Sequence, residues 1–206
     1  MAKQRIKRGY RRTKYILYKE TLVDFREHFW AFVGSFIGIG VIAYLQNLQL
    51  PVSDVIYLIG SFGASSVLVY GVIESPLAQP RNLIGGHLIS AIVGVTILQL
   101  VPEILWITAP LAVSLSIVFM QMTKTLHPPG GATALIAVTG SAELKNLGYW
   151  YVISPVFVGC MVLLIVALVF NNMTTKRQYP IKKSLSFHKI IPYISQKVGS
   201  KKSQEF

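Results

Sequence analysis

One cysteine, few acids and a thinly charged middle set the first limits on this chain. The single cysteine, Cys160, lies in an apolar run, so the sequence holds neither an intrachain disulfide nor a cysteine-based zinc cluster. Only 8 of the 206 residues are Asp or Glu. No carboxylate pair or Ser/His/Asp set falls together in the apolar body, so no catalytic residue can be named and an enzyme is not expected. No two His, Asp or Glu stand at i, i+3 or i, i+4 inside an apolar stretch, so metal ligation finds no support and no cofactor is expected. Charged residues make up 14% of the chain, against roughly 25% in ordinary soluble proteins. With 52% hydrophobic residues, a soluble globular domain is excluded.

What charge there is lies at the ends. Residues 1–27 hold nine Lys/Arg and three acids, residues 173–206 hold eight and one, and the 145 residues between hold three and four. The net +12 therefore belongs to two basic flanks around a nearly neutral apolar body, the pattern of an integral membrane protein. A nucleic-acid reader spreads its basic residues over a folded face, so the expected partner is the lipid bilayer and not nucleic acid. The expected divisions are a basic N-terminal segment (1–27), a transmembrane domain (28–172) and a basic tail (173–206), with both ends cytoplasmic.

Five stretches reach or approach the ~20 apolar residues that a spanning helix needs: 29–45, 52–73, 83–101, 104–122 and 149–170. A sixth, 128–140, opens with Pro128-Pro129-Gly130-Gly131 and is too short for a simple straight span. Lys/Arg asymmetry bears on whether it crosses. Two basic flanks on one side require an even number of crossings, and Arg81 and Lys124 mark the loops that return to that side. The stretch from Tyr149 must then start on the other side. The sixth stretch is therefore expected to cross as a broken or partly extended element, although Lys145 then lies outside. The alternative is four spans with the remaining stretches re-entrant or interfacial.

The chain also repeats itself weakly. Gly63-Ala64-Ser65-Ser66-Val67-Leu68 aligns with Gly131-Ala132-Thr133-Ala134-Leu135-Ile136, Arg81-Asn82-Leu83 with Lys145-Asn146-Leu147, Ile89-Ser90 with Ile153-Ser154, and Glu27 and Trp30 with Glu103 and Trp106. Three spans per copy is an odd number, so the second copy would insert upside down, giving the inverted 3+3 arrangement of many transporters. The expected fold is all-α, with four to six transmembrane helices and helix breaks at Gly60–Ser66 and His127–Thr133.

Those breaks carry the candidate chemistry. Pro128 and Pro129 suit the first turn of a helix, and in an inverted pair two helix N-termini would approach the midplane, each offering free N–H groups to an anion. Ser61, Gly63, Ser65, Gly130, Gly131 and Thr133 would line that site, with hydroxyl donors from the serines and threonine. Close helix packing is the plain alternative, and it is preferred for Gly85, Gly86 and Gly94. His87 and His127 are ionisable groups in apolar stretches and so candidates for binding or for a proton that travels with the anion; the plain reading is neutral rings satisfied by carbonyls. Gln79, Arg81 and Asn82 lie in a proline-bounded loop at the expected cytoplasmic mouth, where Arg81 would draw anions or only anchor the topology.

At these residues the chain resembles the HPP family of integral membrane proteins, through His127-Pro128-Pro129-Gly130-Gly131-Ala132-Thr133-Ala134-Leu135, Pro76-Leu77-Ala78-Gln79-Pro80-Arg81-Asn82 followed by Gly85-Gly86-His87, and Gly60-Ser61-Phe62-Gly63-Ala64-Ser65. That family is usually described with four transmembrane helices, and its plant plastid and cyanobacterial members are associated with nitrite transport. The resemblance implies a multi-pass protein, of the cell inner membrane in a prokaryote or the plastid inner membrane in a plant, that moves a small anion such as nitrite. A homo-oligomer is compatible with it. The rival reading is a membrane scaffold or sensor subunit without transport.

Overall fold

The computed structural model describes residues 25–49, 60–175 and 177–181, and every regular element among them is helical. Helix α1 is Phe25–Gln49. Helix α2 covers residues 60–71, α-helical over 60–66 and closing in a wider π-helical turn at Val67–Gly71. A 3₁₀ turn, Pro76–Ala78, leads into α3, Pro80–Leu100. Helix α4 is Leu105–Met122, α5 is Pro128–Thr139 and α6 is the short Ala142–Asn146. Helix α7, Val152–Phe170, opens with a π-helical turn at Val152–Phe157. The protein is an all-α integral membrane protein.

Four helices are long and apolar enough to cross a bilayer: Phe25–Leu45, Pro80–Leu100, Leu105–Met122 and Val152–Phe170. The stretch expected from residue 52 begins outside the described residues, which take it up at Gly60. Helix α5 has 12 residues, about 18 Å at 1.5 Å per residue, and is too short alone.

Among the described residues, packing shows α1, α3, α4, α7 and a composite element before α7 running from end to end, and α2 supplies the closing part of the second pass. One end holds Glu27 beside Arg177 (3.1 Å), Arg177 beside the Tyr70 carbonyl (2.7 Å), Tyr179 on the Ala78 carbonyl (2.7 Å) and Arg81 on the Thr123 carbonyl (2.7 Å). The other end holds Glu103 with Lys145 (3.0 Å) and Thr96 with Tyr149 (2.9 Å). Helices α3 and α5 run parallel, since Gly86 faces His127, Gly130 faces Ser90, and Gly94 faces Ala134 and Ala137. The fifth pass is composite: residues 123–127 run along α3 without helical structure, α5 continues, and α6 finishes at the far end. Lys145, awkward for this topology as a lone charge, is paired with Glu103 there.

Helices α1 and α3 start at the end that holds Glu27 and Arg81, and α4 and α7 at the end that holds Glu103 and Tyr149, the order that an inverted repeat would call for. The expected break at Gly60–Ser66 is corrected: these residues are helical. Ser65 Oγ lies 3.1 Å from the Ser61 carbonyl and Ser66 Oγ donates to the Gly63 carbonyl at 2.7 Å, so both hydroxyls lie close along the helix. A glycine there costs only about 1 kcal/mol relative to alanine. Most of the two basic flanks lies outside the described residues, but Arg177 and Tyr179 of the expected tail are buried in the bundle.

Candidate functional site

The site begins with the non-helical leg. A residue before proline is pushed out of the α region, and His127 is accordingly extended, at φ −139° and ψ 103°, with Pro128 and Pro129 opening α5 behind it. Carbonyls at such depth need donors. Arg81 Nη2 supplies the Thr123 carbonyl and Asn82 Nδ2 the Leu126 carbonyl, both at 2.7 Å. The leg can lie this close to α3 because Gly85 and Gly86 have no side chain: a Cβ on either would collide with Thr125 or His127.

This delivers His127 to a buried cluster. His127 Nδ1 is 2.8 Å from the Leu77 carbonyl, and its Nε2 is 2.9 Å from Ser65 Oγ. Ser65 Oγ is 2.7 Å from His87 Nε2, and His87 Nδ1 is 2.6 Å from Thr133 Oγ1. Four side chains from α2, α3, the leg and α5 thus form one unbroken row of hydrogen bonds, with exposures of 0 or 1%. The imidazole centroids are 5.0 Å apart, and the Phe62 ring lies 5.3 Å from His87. All four ring nitrogens are engaged by protein groups, and among the described residues no three His, Cys, Asp or Glu gather to hold a metal.

The other expected site residues divide. Ser61 joins through its carbonyl, one helical turn from Ser65. Pro129 and Gly130 are buried, and Gly130 serves close packing, since a Cβ would lie 2.7 Å from Ser90 Oγ. Pro128 is exposed. Gly131 looks toward Val113 on α4, and Gly63 opens onto free space; two residues from Ser65, it points to roughly the opposite side of the helix. Residues 60–66 are helical, and what meets the His127–Thr133 segment there is the side-chain row through Ser65. At the expected mouth, Gln79 is a staple, donating to the Ile73 and Ser75 carbonyls at 2.9 Å each and accepting from Ile181 N at 2.9 Å.

Two participants escaped the sequence reading. Leu77 acts through a backbone oxygen, which leaves no mark in a sequence. Tyr151 donates its hydroxyl to the Thr133 carbonyl at 2.9 Å, and the repeat held a signal for it, because the offset that aligns Ile89-Ser90 with Ile153-Ser154 aligns His87 with Tyr151.

A multi-pass helical bundle with a histidine-centred polar row in its core defines the class. The family model described as "HPP, transmembrane region" matches residues 20–180, and the chain belongs to that family. It is 47% identical over 161 residues to one Dictyostelium discoideum protein, covering 77% of this chain and 51% of the relative. A second protein of that organism is 46% identical over 161 residues, covering 77% and 56%. Both are named only as transmembrane proteins, and the chain spans about half of their length. No solved structure matches it.

Proposed function

We propose that the protein moves a small inorganic anion across its membrane, with nitrite the first substrate to test, and that the row Thr133–His87–Ser65–His127 is the point where passage is controlled. The observation that carries this is the row itself. Ionisable groups inside a membrane are expensive and mark substrate or ion pathways, and this pair of imidazoles stands between α2 and α5, which carry the segments that the sequence repeat aligns, where an inverted-repeat transporter would hold its site. Hydroxyls and imidazole N–H groups are the donors an anion needs in a body almost without fixed positive charge. In the present geometry they are spent on one another. An anion must replace one of these bonds, so the structure corresponds to a closed state in this reading. The end bearing Glu27, Arg81 and Arg177 faces the cytoplasm in it, following the basic flanks.

Nitrite uptake by proteoliposomes of the purified chain tests the proposal. Saturable uptake above that of empty liposomes, lowered by Thr133→Val, is expected. The scaffold reading expects no such uptake, and its absence would sink the transport reading.

A further inference from the structure

The sense of every hydrogen bond in the row follows from one backbone atom. The Leu77 carbonyl can only accept, so His127 Nδ1, 2.8 Å away, carries a hydrogen. In the neutral ring Nε2 is then an acceptor, filled by the Ser65 hydroxyl at 2.9 Å. With its one hydrogen committed, Ser65 Oγ accepts from His87 Nε2 at 2.7 Å. His87 Nδ1, now bare, accepts from the Thr133 hydroxyl at 2.6 Å. The Ser61 carbonyl, at 3.1 Å the longest of Ser65's contacts, has the helical N–H ladder to serve it. Every donor in the row meets an acceptor.

One added proton produces a second state in which all four ring nitrogens are again matched, with the Thr133 hydroxyl hydrogen turned away from the ring. A proton from solvent binds His87 Nδ1; the hydrogen on Nε2 passes to Ser65 Oγ, and Ser65 passes its own to His127 Nε2. His127 is then an imidazolium donating to Leu77 O and to Ser65. Ser65 donates to His87 Nε2, and His87, neutral again, donates from Nδ1 to Thr133. Each bond survives with its sense reversed except the one to Leu77, and no heavy atom has to move. A second proton is opposed by like charge, since the rings are 5.0 Å apart.

We propose that Thr133, His87, Ser65 and His127 form a one-proton relay in which the proton rests on His127 while His87 changes tautomer, and that this charge is the counterion of the transported anion. The relay stands on the hydrogen-bond geometry; the counterion half rests on the transport reading above. The surroundings fit both. Against the row lie the Phe62 ring from α2 and Tyr151, just before α7, with the buried Cys160 near Tyr151; Thr125 of the leg packs on Gly85 and Gly86, and Tyr179 reaches the neighbouring Ala78 carbonyl. None of these is Asp, Glu, Lys or Arg. The formal charges that the loops beside it carry, Glu74, Arg81 and Lys124, are exposed. A core anion thus has no other fixed countercharge among the described residues that line the row.

The deciding experiment is nitrogen-15 NMR of the histidine-labelled full chain in lipid nanodiscs, with His28 and His188 replaced by glutamine, from about pH 8, above the ordinary imidazole range, downward until the fold is lost. One step is expected, in which His127 gains a proton as His87 goes from Nε2–H to Nδ1–H. The His127→Asn variant, which keeps a donor for Leu77 O but has no second ring nitrogen, should abolish the His87 switch. A constant His87 tautomer, two separate titrations, or no titration before unfolding overturns the relay. Nitrite uptake under an inward proton gradient reads the other half: one proton per nitrite is expected, with the gradient dependence lost in His127→Asn. Saturable uptake indifferent to the gradient overturns the counterion half and leaves the transporter standing. No saturable uptake at all, with the tautomer switch intact, overturns transport and the counterion half and leaves the relay.

Discussion

Ser65 and Thr133, equivalent positions of the two sequence repeats, bind the two nitrogens of a single imidazole: Ser65 Oγ is 2.7 Å from His87 Nε2 and Thr133 Oγ1 is 2.6 Å from His87 Nδ1. The second helix of each half is thus tied to one ring. The counterpart of His87 in the second half, Tyr151, holds the Thr133 carbonyl at 2.9 Å. Rocking of one half against the other, the usual motion of inverted-repeat transporters, would have to strain or break one of these ties.

Thr133→Val should therefore be felt beyond its size. Valine keeps the shape but removes the hydroxyl, leaving the buried His87 Nδ1 without its partner, at a cost of about 1–3 kcal/mol. Thr133→Ser restores the donor and should recover most of that loss. Unfolding of the purified variants in one detergent measures the effect, and nitrite uptake should fall and recover in the same order. Equal stability of the valine variant and the wild type would show that the tie contributes nothing.

Glycines of the same motifs should respond oppositely. Gly86→Ala drives a methyl into His127 and to 2.9 Å from the Thr125 carbonyl, whereas at Gly63 there is nothing within 4 Å. Overpacking costs typically about 1–3 kcal/mol, so Gly86→Ala should lower thermal stability while Gly63→Ala holds or slightly raises it through helix propensity. Thermal unfolding compared across the two variants checks this, and equal effects would mean that the leg does not press on α3.

Much of this arrangement was legible beforehand, for identifiable reasons. Charge is read by position alone, so two basic flanks called for an even number of passes, and the packing of the described residues is compatible with six. Ser65, His87, His127 and Thr133 stood out because polar groups in apolar stretches are costly. Gly60–Ser66 misled because glycine weakens a helix without ending it, and the Ser66 hydroxyl folds back on the helix and suits it. The fifth pass was hard to measure because an extended leg and the short α6 supply the length that α5 lacks. Arg177 read as one more basic tail residue, and what distinguishes it is the set of acceptors it meets only after folding: Glu27, the Tyr70 carbonyl and Asn171.

The two ion pairs at opposite ends should differ sharply in worth. The Arg177 side chain is 4% exposed and that of Glu27 21%, against 24% for Lys145 and 60% for Glu103. Arg177→Met strands a largely buried carboxylate together with three further acceptors, the Glu27 and Tyr70 carbonyls and Asn171 Oδ1, and should cost roughly 3 kcal/mol or more. Lys145→Gln breaks a solvated pair and should cost less than about 1 kcal/mol. Chemical denaturation in mixed micelles separates the two, and similar losses would contradict the burial difference.

The composite fifth pass makes the sharpest topological prediction. Lys124 is exposed at the end that holds Arg81, and Glu143 is exposed close to the Glu103–Lys145 pair at the other. Six passes put these positions on opposite faces of the membrane, whereas a re-entrant fifth element would return them to the same face. Cys160 is the one native cysteine and is buried, so Cys160→Ala supplies a background for Lys124→Cys and Glu143→Cys. A membrane-impermeant maleimide applied to sealed vesicles of one orientation should label one of these variants and spare the other until the vesicles are opened. Labelling of both from the same side would remove the fifth pass. The inverted repeat would go with it, because with the leg and α5 returning to their starting face, the second half could no longer be the upside-down copy of the first.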